Sequence, residues 1–236
     1  MNEPFVFRKM LYLVEATGMR ARTLDQMLRV VTVVDPLSIG FHMHREYLEF
    51  RFVDPEWPND FSYWSAKVLG DQVLAEKLAA LRVFNYRTLE GLQRHLARML
   101  AEHMESVPES THLVAPHGRD FIFSMARSIV MDVGRQTRTL EEFANALMEV
   151  EGSSIYFHIF ETRFYGGEGH AIDFALWVTQ SLGMPELGER MAAFDPYVFS
   201  LEGARKAMVR MVTEEARAKR GEASARPQPP LPGRPE

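Results

Sequence analysis

The chain opens on two short apolar runs, Phe5-Val6-Phe7 and Met10 to Val14, each too short to tell a strand from the first turns of a helix. Helical spacing then takes over. Thr23 stands where an N-cap belongs, ahead of Leu24 to Val31, and Asp35-Pro36 reads as a cap followed by a first helical residue, where proline forfeits no intrahelical bond. Ile39, His42, Met43, Glu46, Tyr47 and Phe50 recur at one-face helical spacing, although Ile39, Phe41 and Met43 would also line one side of a strand. The prolines of the Asp54 to Pro58 stretch make a loop. Asn59 or Asp60 then caps a helix with Phe61, Trp64 and Val68 inward, which Gly70 ends. Further helices gather Leu74, Leu78 and Leu81 and, behind a Thr88 cap, Leu89, Leu92, Leu96 and Leu100.

The same pattern then returns. Ser38-Ile39-Gly40-Phe41-His42 is matched 116 residues later by Ser154-Ile155-Tyr156-Phe157-His158. That offset also relates Phe5-Val6-Phe7 to Phe121-Ile122-Phe123, Gly18 to Gly134, and Arg22-Thr23-Leu24 to Arg138-Thr139-Leu140. It falls to 113 between Asp60-Phe61 and Asp173-Phe174 and between Trp64 and Trp177, then to 112 between Leu89-Glu90-Gly91 and Leu201-Glu202-Gly203. The expected architecture is mainly α, with room for short β segments: an internally duplicated helical module packed with pseudo-two-fold symmetry, the two aromatic runs forming its seam. Its first copy spans residues 5–105, a linker 106–120 and its second copy 121–216. A disordered Pro-rich tail takes 217–236. In the second copy Thr139 and Glu142 spell a capping box, and Ser153 or Ser154 should cap the segment bearing His158. The glycine-rich stretch from Tyr165 to His170 lacks the spacing and lysine of a phosphate-cradling loop.

Charge narrows the partners. The net charge is -5, and the basic residues of the tail leave 22 basic against 30 acidic residues in the body, a poor match for a phosphate backbone. Cysteine is absent, which removes disulfides, thiolate metal sites and cysteine nucleophiles and suits a reducing, cytoplasmic setting. No secretory signal opens the sequence, and no apolar stretch is long enough to span a membrane. The 14 methionines suit either a filled core or an adaptable protein-binding surface.

Candidate chemistry centres on His42 with Asp60 and His158 with Asp173. The plainer reading is a buried histidine held by a carboxylate in each copy, tying the histidine segment to the tryptophan helix. The functional reading is a pair of ligand-binding or acid–base sites. Trp64 and Trp177 read as core residues or, if one lines a groove, as a sugar-stacking platform. Arg22 and Arg138, just ahead of helix starts, read as anion contacts or as partners of carboxylates. Glu161 lies one turn from His158, but its counterpart is Arg45, so a metal reading has no repeated ligand set, and neither a metal nor another cofactor is expected. No nucleophile elbow is present.

Several strings carry a resemblance to a family. They are Ala21-Arg22-Thr23-Leu24, Phe41-His42, Asn59-Asp60-Phe61-Ser62-Tyr63-Trp64 and Leu74-Ala75-Glu76-Lys77-Leu78, followed by Ser154 to Glu161, Asp173-Phe174 with Trp177, and Asp195-Pro196-Tyr197. With them the chain resembles DUF5752, a family of uncharacterised bacterial proteins built as tandem copies of this module. Relatives typically have Asn-Asp-Phe in both halves, whereas here Ile172 replaces the second asparagine. The resemblance implies no activity; it hints at a carbohydrate-related partner. Two functions are therefore expected to compete. One is a noncatalytic helical interaction or regulatory module with a protein partner or self-association. The other is a small-molecule or sugar-related binding protein, or a hydrolase, using a His/Asp pocket.

Overall fold

A computed structural model describes residues 3–48, 56–162, 172–196 and 199–225. The glycine-rich stretch from Tyr165 to His170, Asp54-Pro55 at the start of the proline loop, and the end of the tail lie outside these residues. The architecture is mainly α-helical around one antiparallel two-stranded sheet. No described helix is long and apolar enough to cross a membrane.

The two opening apolar runs belong to a single strand. β1 spans Phe5–Ala21 and pairs antiparallel with β2, Phe121–Thr137, each 17 residues long, so the β segments are not short. Two adjacent runs separated only by Arg8-Lys9 read as fragments because the burial phase changes between them: Phe5 and Phe7 point inward, and then Met10 does. Register shifts between Phe7 and Arg8 and between Ala16 and Arg20 accompany that change. Gly134 and Gly18 sit in these irregularities at φ 70° and 78°, a left-handed conformation that costs glycine little. At the middle of the ladder Tyr12 pairs with Ser128, the residue 116 positions further on.

In the first half follow α1 (Leu24–Val33), α2 (Pro36–Leu48), α3 (Asp60–Trp64, continued by a π-helical turn over Ser65–Leu69), α4 (Gln72–Ala79) and α5 (Leu89–Ser106). After β2 come α6 (Leu140–Glu149), α7 (Gly152–Tyr156, continued by a π-helical turn over Phe157–Glu161), α8 (Asp173–Gln180), α9 (Pro185–Ala192) and α10 (Leu201–Ala225). The 106–120 stretch holds a 3-10 turn, Pro108–His112, and docks through the Ala115 N–H on the Arg22 carbonyl at 2.8 Å.

Several caps act as their residues suggest. Thr23 accepts from Gln26 N–H while the Gln26 side chain accepts from Arg22 N–H, and Thr139, Glu142 and Arg138 repeat this arrangement. Ser154 does not cap α7. Its hydroxyl donates instead to the Arg8 carbonyl of β1 at 2.7 Å, and Glu151 takes the N-cap position without a side-chain bond. The last helix also runs past Arg217, with α10 continuing to Ala225. The stretch after Arg217 is rich in alanine, lysine and arginine and reaches no proline before Pro227, so nothing forces the helix to stop, and Arg220 pairs with Glu141 of α6.

The core has two main clusters, and the strands cross between them. Leu24, Met27, Ile39, Phe61, Trp64, Leu74, Leu92 and Leu96 of the first half pack around Phe121 and Phe123 of β2. Phe143, Ile155, Phe160, Phe174, Trp177, Leu187 and Met208 of the second half pack around Phe5, Phe7 and Met10 of β1. Each strand thus seats its first turn of aromatic residues in the helices of the other half.

Candidate functional site

Each seat is locked by a histidine. α2 starts at Pro36 under an Asp35 cap and carries His42 to the underside of β2. There Ser124 N–H donates to His42 Nε2 at 2.9 Å, and His42 Nδ1 lies 2.7 Å from Asp60 Oδ2 at the start of α3. The backbone amide can only donate, so Nε2 is the bare nitrogen and Nδ1–H donates to the carboxylate. In the second half Arg8 N–H donates to His158 Nε2 at 2.9 Å, and His158 Nδ1 lies 3.0 Å from Asp173 Oδ2. Both imidazoles are buried. Ser38 and Ser154 each add a hydroxyl bond to the carbonyl of the same strand residue whose N–H the histidine accepts.

Aromatic rings close the two sockets. His42 touches Phe41, Phe61, Phe121 and Phe123, and His158 touches Phe5, Phe7, Phe157 and Phe174, with ring centroids 4.7–5.8 Å apart. Trp64 and Trp177 are buried beside them. Their indole N–H groups donate to the carbonyls of Arg119 and Glu3, at 2.9 Å in both cases, just before each strand. They anchor backbone and offer no stacking platform. Burial lowers the His158 pKa, opposed by the Asp173 carboxylate, which favours the protonated ring. Protonating Nε2 would in any case expel the strand amide.

The family of unknown function DUF5752 matches residues 2–213. The chain belongs to this family. A solved structure, OrfY from Thermoproteus tenax, is similar at 27% identity with a TM-score of 0.76, covering 90% of this chain and 95% of OrfY. No curated protein matches the chain.

The other candidates of this DUF5752 chain lie apart from the sockets. Arg22 holds the Ala115 carbonyl at 3.2 Å and approaches Asp120 at 3.4 Å, beside a surface cleft it shares with Arg20, Gln26 and His117. Arg138 borders a separate hollow with Leu140, Leu182 and Arg220. Glu161 is the exception, a carboxylate turned inward. The π-helical turn brings it to Ser128, whose hydroxyl donates to it at 2.8 Å, and burial raises its pKa. It lines a cavity of about 20 Å³, room for one water, together with His44, Tyr156, Phe41 and Met10. His44 is fully buried against Phe160, Tyr156 and Phe84, and desolvation lowers its pKa to about 3. Neither His42 nor His158 lines this cavity.

One buried pair gave no sequence signal. His103 of α5 bonds Asp71 Oδ2 through Nε2 at 2.7 Å, while Asp71 Oδ1 caps α4. Asp71 and His103 have no counterparts of their type in the second half, where Met184 and Glu215 stand, so the repeat could not reveal them. Among the described residues, no group of three or more histidines, aspartates or glutamates could hold a metal.

Proposed function

We propose that the chain is a noncatalytic helical interaction or regulatory module built by internal duplication. Copies 5–105 and 121–216 are related by a pseudo-two-fold axis through the Tyr12–Ser128 pair, and the copies exchange strands. Support for the duplication is the repetition of whole bond sets: His and Ser of each copy, 116 residues apart, hold the backbone of the other copy's strand, and the tryptophans, 113 apart, hold the carbonyl just ahead of it. The absence of cysteine fits a reducing compartment such as the cytoplasm.

The observation that carries the noncatalytic reading is the saturation of both nitrogens in both histidines. A general base needs a lone pair within reach of a substrate proton, and a metal ligand needs a bare nitrogen facing the ion. Here each lone pair is committed to a strand amide and each ring N–H to an aspartate. The residues that looked most like chemistry are fasteners.

The test is acylation of the native protein with diethylpyrocarbonate, which attacks accessible bare imidazole nitrogens, read by peptide mass spectrometry. His42 and His158 should stay unmodified until the protein unfolds, while exposed histidines react. Modification of either in the folded chain overturns the reading.

A further inference from the structure

Around the Tyr12–Ser128 pair the sheet turns one face to α2, α7 and the small cavity, which Met10, Ala126 and Ser128 line. The opposite face carries Leu11, Leu13, Ile129 and Met131, exposed at 52%, 63%, 66% and 42%. Leu11 lies directly across from Ile129, Leu13 from Arg127, Lys9 from Met131 and Glu15 from Met125. Cross-strand partners share a face, so these side chains form one continuous apolar strip with charges at its margins. Scattered exposed leucines are ordinary. A contiguous strip in the middle of a sheet marks a surface that something covers.

We propose that this outer face is the interface between two copies of the chain, packed sheet on sheet. The inference rests on the interaction-module reading and names its partner. The charges select the partner and the direction of the axis. Lys9 and Glu15 each stand three residues from Tyr12, on either side. A two-fold axis lying between the sheets and running across the strands at Tyr12 sets Leu11 against Leu13 of the other copy, Met125 against Met131, and Lys9 against Glu15 twice. An axis running along the strands instead sets Lys9 over Met131 and Glu15 over Met125, so the Lys9–Glu151 and Arg127–Glu15 pairs within each chain, at 3.1 Å each, gain no charged partner from the other copy. The strip therefore complements itself in one arrangement. A two-fold interface requires that self-complementarity. Arg127, bonded to its own Glu15 at 3.1 Å, covers Ile129 of the other copy with its aliphatic stem.

Sedimentation equilibrium of the full chain, together with circular dichroism to confirm folding, tests the interface. The wild-type protein should sediment at twice its 27.1 kDa chain mass. Ile129→Glu, which places a charge on an already exposed position, should raise the dimer dissociation constant at least tenfold with the fold intact. Lys9→Glu should weaken the dimer as well, and Lys9→Glu combined with Glu15→Lys should restore it. A wild-type monomer at every accessible concentration overturns the proposal, and so does a dimer indifferent to both single substitutions. Neither result touches the diethylpyrocarbonate outcome, so the interface can fail while the histidine fasteners stand, and the reverse.

Discussion

The two histidine sockets use the same bonds in unequal surroundings. At His42 the aspartate is 17% exposed, sits 2.7 Å from the ring and has Arg45 as a second, longer contact at 3.6 Å. At His158 it is 32% exposed and 3.0 Å from the ring, and where Arg45 stands in the first half, Glu161 turns inward on a π-helical turn. Asn59 caps α3 through Ser62 N–H and reaches the Leu78 carbonyl, whereas Ile172 ahead of α8 caps nothing and is fully buried in the core. His44 likewise has an aromatic counterpart, Phe160. The lesson is that the strand-holding bonds are kept in both halves while the supports around them interchange polar and apolar solutions. Around those shared bonds the first half adds the Asn59 cap and the Arg45 contact, where the second half places the buried Ile172 and the inward Glu161.

The largest expected effect comes from acid. A histidine whose folded pKa lies near 3 binds its proton in the unfolded chain first, so stability falls as pH drops from about 6.5 toward 3. The full loss is on the order of 5 kcal/mol. His158, also lowered by burial, acts in the same direction. His44→Phe copies the solution of the second half. Urea melts across that pH window should show the variant shallower than the wild type, and equal slopes would mean that His44 is not desolvated.

Removing the fasteners comes next. His42→Ala leaves the Ser124 amide without its acceptor and the Asp60 carboxylate with only its longer Arg45 contact, and should cost about 3 kcal/mol. His158→Ala should cost about 2 kcal/mol, because its aspartate is nearer to water. Denaturant unfolding of the two variants side by side checks the order, and a reversed order would break the argument from exposure. The smallest effect is the cap. Asn59→Ala should cost about 1 kcal/mol in the same assay, while Ile172→Asn should destabilise rather than help, since it removes a buried aliphatic side chain from the core.

Much of this was legible in residue spacing. The offset put His42 and His158 in equivalent positions and their aspartates within reach, and Thr23, Thr139, Thr88 and Asp35 announced helix starts by local chemistry alone. What escaped reading depends on tertiary context. The strands hid because Arg8-Lys9 interrupts their alternation where the ladder shifts register. His103 and Asp71 meet across 32 residues without a repeat to flag them. Glu161 turns inward only because one turn of helix widens, an adjustment with no periodic signature. The exchange of strands was invisible for a related reason: Phe5 and Phe7 look the same to either half.

That exchange sets a timetable for synthesis. The seat for Phe5 and Phe7 is made by residues reaching as far as Met208 and Val212, so β1, once synthesised, must wait for α10. At about 5–20 residues per second the wait is on the order of ten seconds or more. Until β2 has been made, the first half has its helices but not the Phe121–Phe123 plug that completes its core, and β1 has neither its partner strand nor its seat. The nascent chain therefore carries its most aromatic strand unburied for most of translation, and the seat of that strand closes last.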